Sequence, residues 1–580
     1  MRSPAIGDTH WLVFNNWYRQ RFLRRVALVS PVTKQLMDQR NACRPGIGKV
    51  KCRINPRELE AHLSSVVNRA HRLLIIPVGL LLLILSLAAA HYRFIDADEG
   101  FYLLASRLVL QHKVPYVDFL YTQAPLLPYI YGLWMRVFEE SWPSARALSA
   151  CLTTALGILL YVHIGVRTRK SVIALHGVLL FAGTTLIFAW MPIVKTYALS
   201  SLLLFASYML VTRAQPRFPP GTLLFAGLLL GVGIEVRSYL AGLVPIFLFW
   251  LYRRSRPTAK HGRVLWFVGG LSLAATPAAV LLAMYPSAFI FNNIGIHAIR
   301  SGSGLVGGFG QKAVIAAQAL IAGPRENGLQ LGMLFLLGLF LLRNRKMAEP
   351  EQLAFLLAAA LGLICLAPTP SYVQYFCVTV PFLLAATLSS FGNLPLAGNR
   401  KERKRLIAGI CLGTLFYLAP TMADCRKYFI SGESLNGIYR NKDPEDWTLA
   451  TVRAVSRGVD ELAVPGERVM SFWPGYIIGS KATPYPGFES DCGRIFAGAL
   501  SAEQLSKFHI VSGANIEAEI DARAPRIVVV GNQEYWSESR RRYVAALERS
   551  GYGIARQVRN TSIYVRTEIR RSASEPPTQP

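Results

Sequence analysis

Three carboxylates crowd into four positions at Asp96-Ala97-Asp98-Glu99, directly after an apolar stretch that ends near Ala90. A carboxylate at a membrane edge is unfavourable unless it is hydrated, paired or in use. One held within hydrogen-bond reach of a hydroxyl can take its proton as a general base. Asp98 and Glu99 are therefore candidates for such use, with hydration and pairing open beside it. Phe101, Leu104, Ala105 and Leu108 mark one face of a helix that begins here. Asp98 as a plain N-cap of that helix is the competing reading. Asp96 and Asp98 also form an Asp-x-Asp, the hard-oxygen pair that suits a divalent cation, and are the candidate metal ligands. Three letters alone fix little of a coordination shell, and a cation is left as an open cofactor.

A second donor-rich stretch runs Phe291-Asn292-Asn293-Ile294-Gly295-Ile296-His297-Ala298-Ile299-Arg300-Ser301-Gly302. His297 and Arg300, three apart, share a helix face and suit a clamp on a phosphate. An arginine near lipid headgroups also simply snorkels, and that alternative stands beside the clamp. Arg237, just beyond another apolar stretch, is a further phosphate candidate.

The elements that must position these residues are membrane-spanning. The 580-residue chain is 52% hydrophobic, and apolar runs recur from position 72 to position 423. Crossing a bilayer needs about 20 such residues for about 30 Å of hydrocarbon. About eleven spans are expected: 72–90, 145–166, 171–191, 195–212, 219–236, 239–252, 264–284, 326–342, 352–367, 372–391 and 406–423. Basic clusters follow every second span: Arg167/Arg169/Lys170, Arg213/Arg217, Arg253/Arg254/Arg256/Lys260/Arg263, Arg343/Arg345/Lys346 and Arg400–Arg405. The intervening loops carry little charge: Lys195 in one, Glu235 and Arg237 in another. By the positive-inside rule the N-terminus is cytoplasmic and everything after the last span is external. Most of the net charge of +29 sits in those loops, so nucleic acid is excluded as a partner.

Three parts are expected: a basic cytoplasmic segment (1–71), a transmembrane domain (72–423) and an external α/β domain (424–580). The first segment is dominated by charge, with thirteen Lys/Arg against four Asp/Glu in residues 1–70. In the last part, 468–472, 526–530 and 563–565 read as strands, and 501–511 and 537–549 as amphipathic helices. It shows no GxGxxG, P-loop or GxSxG, so no chemistry is legible there. Cys425 and Cys492 leave a disulfide open. The first external loop, His91 to about Ser144, reads as two amphipathic helices in the membrane interface, rich in Tyr129, Tyr131 and Trp134.

An ordered set of motifs then carries a resemblance. Asp98-Glu99 follows the first span, Pro115-Tyr116 stands with Asp118, Gln123-x-Pro125-Leu126 comes next, and Ala145-Arg146-x-Leu148-Ser149 opens the second span. Ser371-Tyr372-x-Gln374-Tyr375-Phe376 opens a late span, followed by Pro381. Over roughly 72–423 this resembles the protein O-mannosyltransferase and aminoarabinose transferase family of class C glycosyltransferases. The resemblance implies a polyprenyl-phosphate-linked sugar as donor, taken from the membrane. It also implies an external acceptor hydroxyl on an envelope glycan, lipid or protein, with the catalytic Asp falling on Asp98. It implies acceptor or sugar contacts at Asp118, Tyr372, Gln374 and Tyr375, and a phosphate contact at Gln123. At Gln123 the chain departs from the family, since aminoarabinose transferases carry a Lys there. A hydroxyl attacking opposite the departing phosphate inverts the anomeric centre, and no general acid is needed for so good a leaving group. The expected enzyme is thus a hexosyl or pentosyl transferase in the cell's inner membrane. A lipid or polysaccharide transporter is the alternative. It would show broken half-helices, internal repeats and mid-membrane ionisable residues.

Overall fold

The computed structural model describes residues 56–213, 220–255, 260–300, 304–321, 329–393, 400–433, 435, 443–531 and 537–567. Residues 1–55, most of the expected basic segment, lie outside these, as do Arg217, Arg256 and residues 301–303. The chain divides into two compact units, Met1–Arg69 and Ala70–Pro580. The second holds both a largely helical membrane bundle and a sheet-containing C-terminal region.

The expected count of about eleven spans is corrected. Among the described residues four helical stretches are long and apolar enough to cross a membrane: Leu73–Tyr92, Trp142–Thr168, Val373–Ser390 and Ile407–Ser431. Lys260–Ala274 and Thr276–Met284, bent by 50°, make a fifth if counted as one. Ser171–Ala182, Tyr197–Arg213, Pro220–Val236 and Leu329–Arg343 are apolar but shorter. At 1.5 Å per residue, a helix of about 17 residues spans only about 25 Å.

The shortening has local causes. The expected span 171–191 breaks at Gly183-Thr184, leaving Ser171–Ala182 and Thr185–Trp190. A break inside the bundle must satisfy its own backbone groups, and Gln330 does so here. Its Oε1 accepts the Thr185 N–H at 2.7 Å, and its Nε2 donates to the Gly183 and Tyr417 carbonyls at 2.9 Å each. Thr421 adds a hydroxyl to the Gly183 carbonyl at 2.7 Å. The span 239–252 becomes a 3-10 turn, Ser238–Leu243, and a short helix, Val244–Arg254, with Pro245 at its start. Pro277 marks the bend after Ala275, and Pro381 follows the 3-10 segment Val373–Thr379.

Val373–Ser390 lies at the centre of the bundle, 94% of it buried, whereas Ile407–Ser431 is largely exposed along its apolar surface. Pro220–Val236 crosses Lys260–Ala274 so closely that a Cβ on Gly227 or Gly270 would overlap the facing backbone carbonyl of Phe267 or Leu224. At one end of the bundle Arg167 pairs with Glu351 at 2.7 Å, and Arg254 pairs with Glu349.

The C-terminal region carries a five-stranded sheet of order β2-β1-β3-β5-β4: β1 Arg468–Ser471, β2 Thr483–Pro484, β3 Ile527–Val530, β4 Tyr552–Val558 and β5 Thr561–Arg566. β1 pairs in parallel with β2 and β3, while β5 runs antiparallel to β3 and β4. β3 is buried throughout, as its Val/Ile run requires. Leu449–Leu462, Gly513–Asp521 and Ser537–Arg549 pack around it. The helix expected over 501–511 is only Ala502–Lys507, opened by a Ser501/Gln504 capping box. Cys425 and Cys492 are free thiols, so the disulfide left open by the sequence is not formed.

The two helices expected in the first external loop are Ala97–Leu110 and Leu126–Phe138. The second presents Tyr129, Leu133, Val137 and Phe138 outward, as an interfacial helix would. The first is corrected: residues 99–109 are buried on every side, because the C-terminal region sits on it. Trp473 Nε1 donates to the Ala97 carbonyl at 2.8 Å. A Cβ on Gly100 would come within 2.7 Å of the Gly475 nitrogen, so glycine is needed for the approach. Arg107 donates to the Ile477 and Ser480 carbonyls at 2.9 and 2.7 Å, and pairs with Glu140 at 3.1 Å.

Candidate functional site

The helix Ala97–Leu110 begins on Asp96, and this settles the roles of three neighbouring carboxylates. Asp96, not Asp98, is the N-cap, closing a capping box in which Glu99 Oε1 accepts the Asp96 N–H at 2.8 Å. Glu99 is fully buried and faces Arg146, which donates from Nε at 2.8 Å and from Nη2 at 2.6 Å. Val194 N–H adds a third donor at 3.1 Å. Arg146 also donates to the carbonyls of Ala90 and Arg93 at 2.7 and 2.8 Å, satisfying the end of the first span's helix.

Asp98, relieved of capping, is 55% exposed at its side chain. Its Oδ2 accepts from Lys195 Nζ at 2.9 Å, and the same ammonium lies 2.7 Å from Asp96 Oδ1. Lys195 comes from the non-helical stretch after Trp190, is 4% exposed at its side chain, and stands over the Trp190 ring at 5.1 Å. Burial alone would push the Lys195 ammonium down; Asp96 and Asp98 outweigh it and hold it well above its usual value. Burial likewise works against the Asp96 carboxylate, yet Lys195 and Arg93 hold it below its usual value. A cation therefore already bridges the Asp-x-Asp pair. Among the described residues no group of three or more His, Cys, Asp or Glu could hold a metal ion. A divalent cation would have to share Asp96 and Asp98 with a buried ammonium, so these residues do not fit one.

Two arginines complete the electropositive side. Arg237 lies in a cage of tyrosines, 4.4 Å from the Tyr197 ring, 4.3 Å from Tyr239 and 5.1 Å from Tyr375. It donates to Thr196 Oγ1 at 2.6 Å, leaving Arg237 Nε and the Tyr239 hydroxyl buried without a hydrogen-bond partner among the described residues. Arg300, on the short helix Ile296–Arg300, donates to the Tyr372 hydroxyl at 3.3 Å. Burial opposes its charge, but Tyr372, Tyr375, Cys492 and Asp98 together raise its pKa. Tyr372 meets Tyr375 edge to face at 5.6 Å, so Arg300, the tyrosines and Arg237 are continuous. The arrangement is an exposed carboxylate beside cations held by carboxylates and tyrosines.

Residues 122–282 match the model of the dolichyl-phosphate-mannose-protein mannosyltransferase family. The chain is similar to ArnT from Cupriavidus metallidurans in the apo state, with a TM-score of 0.58 and 13% identity over 86% of this chain and 98% of that one. It is equally similar to that protein bound to undecaprenyl phosphate, with a TM-score of 0.57 and 13% identity over 85% and 97%. No curated protein sequence matches significantly. The fold is that of ArnT.

Within this fold the remaining expected residues separate. His297 Nε2 meets the Thr122 carbonyl at 3.1 Å, tying the second long loop to the first, while its ring also feels the Arg300 charge. Asp118 folds back to accept the Val114 N–H at 2.6 Å, closing its own turn. Gln123 is half-buried, and its carbonyl accepts the Tyr116 hydroxyl at 2.6 Å. Gln374 is buried in the 3-10 segment beside Tyr375. Lys195, Tyr197 and Tyr239 stand beside these residues and were not singled out from the sequence. Lys195 carried a signal, since it is a lone lysine in a loop where positive-inside topology disfavours one. The tyrosines carried none, because nothing in sequence brings positions 197, 239 and 375 together.

Proposed function

We propose that this protein transfers a monosaccharide, a hexose or pentose, from a polyprenyl-phosphate donor to an acceptor hydroxyl outside the inner membrane. In this reading the N-terminus is cytoplasmic and the C-terminal region periplasmic. The shorter apolar helices pack within the membrane domain, where the bilayer thins locally to meet them. The observation that carries the reading is the exposed Asp98 carboxylate set against three held cations, Lys195, Arg237 and Arg300.

The donor phosphate is received by Arg237 and Arg300, whose planar forks suit phosphate oxygens. The acceptor hydroxyl gives its proton to Asp98. Its oxygen then bonds to the anomeric carbon as the bond from that carbon to the phosphate oxygen breaks. The electron pair leaves with the lipid phosphate, whose charge the arginines and Lys195 meet, and the anomeric centre inverts. The fold likeness to ArnT bound to undecaprenyl phosphate supports a polyprenyl lipid as carrier. The acceptor is an envelope glycan, lipid or protein. Deleting the gene and measuring lipid-linked sugars and envelope glycans by mass spectrometry tests this: a donor should accumulate, or a glycan should lack one sugar. Unaltered pools of both would sink the proposal.

A further inference from the structure

The charge-dense turn Glu489-Ser490-Asp491-Cys492-Gly493-Arg494 carries no recognisable motif, yet the C-terminal region brings it to the site. The 3-10 helix Gly493–Ala499 that follows Asp491 is wedged between the two external loops. Leu120, Phe291, Ile296, Ala497, Phe508 and Ile510 form one apolar cluster there, with Phe291 stacked on Phe508 at 3.7 Å. A Cβ on Gly493 would lie 2.6 Å from Leu120 Cδ2, so the turn is pressed against the first loop. His509 Nε2 meets the Val117 carbonyl at 2.7 Å, and Arg494 Nη2 donates to the Phe472 carbonyl at 2.6 Å. Asp491 is thereby fixed next to the helix that carries Arg300, and its neighbour Cys492 feels both Arg300 and Asp98.

Asp491 keeps part of its surface accessible. Burial pushes its carboxyl up to about 6, with Arg494 pulling it down and Asp98 pushing it further up. A carboxylate repels a phosphate, and the phosphate has Arg237 and Arg300 to meet it. In the transferase reading the sugar lies between that phosphate and Asp98, and its hydroxyls are donors that a carboxylate accepts from. We infer that Asp491 hydrogen-bonds the hydroxyls of the sugar on the lipid phosphate, so that the C-terminal region helps to select the sugar. The inference rests on the transferase reading above.

The test uses the full-length protein expressed in its own cells, with Asp98→Asn as a background that holds the donor unconsumed. Tagged protein is purified in mild detergent, and the co-purified polyprenyl phosphates are counted by mass spectrometry as sugar-bearing or bare. Adding Asp491→Ala should lower the sugar-bearing to bare ratio at least tenfold while bare lipid stays bound, and Asp491→Asn should lower it less. An unchanged ratio overturns the inference. So does an equal loss of both lipids, which would make Asp491 merely structural. Only bare lipid on the Asp98→Asn protein would overturn it while leaving the lipid carrier standing. No polyprenyl phosphate of either kind would remove the transferase reading itself, and the inference with it.

Discussion

Asp98 and Glu99 are adjacent in the chain and carry the same charge, yet they belong to different regions of the molecule. Glu99 is sealed behind Arg146, Val194 and the end of the first span, with no accessible surface. Asp98 is 55% exposed at its side chain and has a single cation on one oxygen. A single residue step separates a sealed carboxylate from an open one because Asp96 takes the cap. The lesson is that an acidic motif read as a unit divides in the fold: one carboxylate builds the site, another caps it, and the third remains open.

The contrast breaks most sharply at Glu99. Glu99→Gln leaves Arg146 buried without its charge partner, and breaking a buried pair destabilises by about 3–5 kcal/mol. Thermal melting in detergent should show a large loss of folded protein. A melting point near that of the natural protein would mean that the sealed carboxylate is not structural. Next comes Arg300→Ala, which removes a charge-assisted contact worth about 1.5–3 kcal/mol, or roughly ten- to hundredfold in affinity for polyprenyl phosphate. Binding to membranes reconstituted with that lipid measures it, and unchanged affinity would return Arg300 to a snorkelling role. The smallest effect sharpens the comparison from another carboxylate. Glu489 has a buried oxygen without a hydrogen-bond partner among the described residues, and burial lifts its carboxyl to about 7, against the pull of Arg494 and Lys113. A raised carboxyl binds its proton more tightly in the folded state, so stability should fall as pH rises from about 4.5 to about 7. Glu489→Gln should flatten that part of the melting-temperature profile, and an unchanged slope would place the titration elsewhere.

The parts legible in sequence were those written locally. Asp98-Glu99 after the first span, Arg146 near the start of the second, and the buried strand over 527–530 all follow from residues next to one another. The span count failed because apolar composition does not register the breaks at Gly183-Thr184, Ser238–Leu243 and Ala275. The break at Gly183-Thr184 is satisfied by Gln330, far along the chain, whereas the other two sit beside Pro245 and Pro277. Asp96 and Asp98 are equally good caps in isolation, and the capping box that Glu99 closes on Asp96 divides their roles. The burial of Ala97–Leu110 was invisible because its partner, Trp473-Pro474-Gly475, lies in the C-terminal region.

The central claim is that the open carboxylate is the base, and Asp98→Asn measures it most directly. The amide keeps the size of the side chain but cannot take a proton at neutral pH, and Asp96 still caps the helix. The variant should insert, fold and retain polyprenyl phosphate, while sugar transfer from a polyprenyl-phosphate donor falls by about 10²–10⁴-fold. A folded, lipid-binding Asp98→Asn protein that transfers at near-normal rate would contradict the account and leave Asp98 as only the outer partner of Lys195.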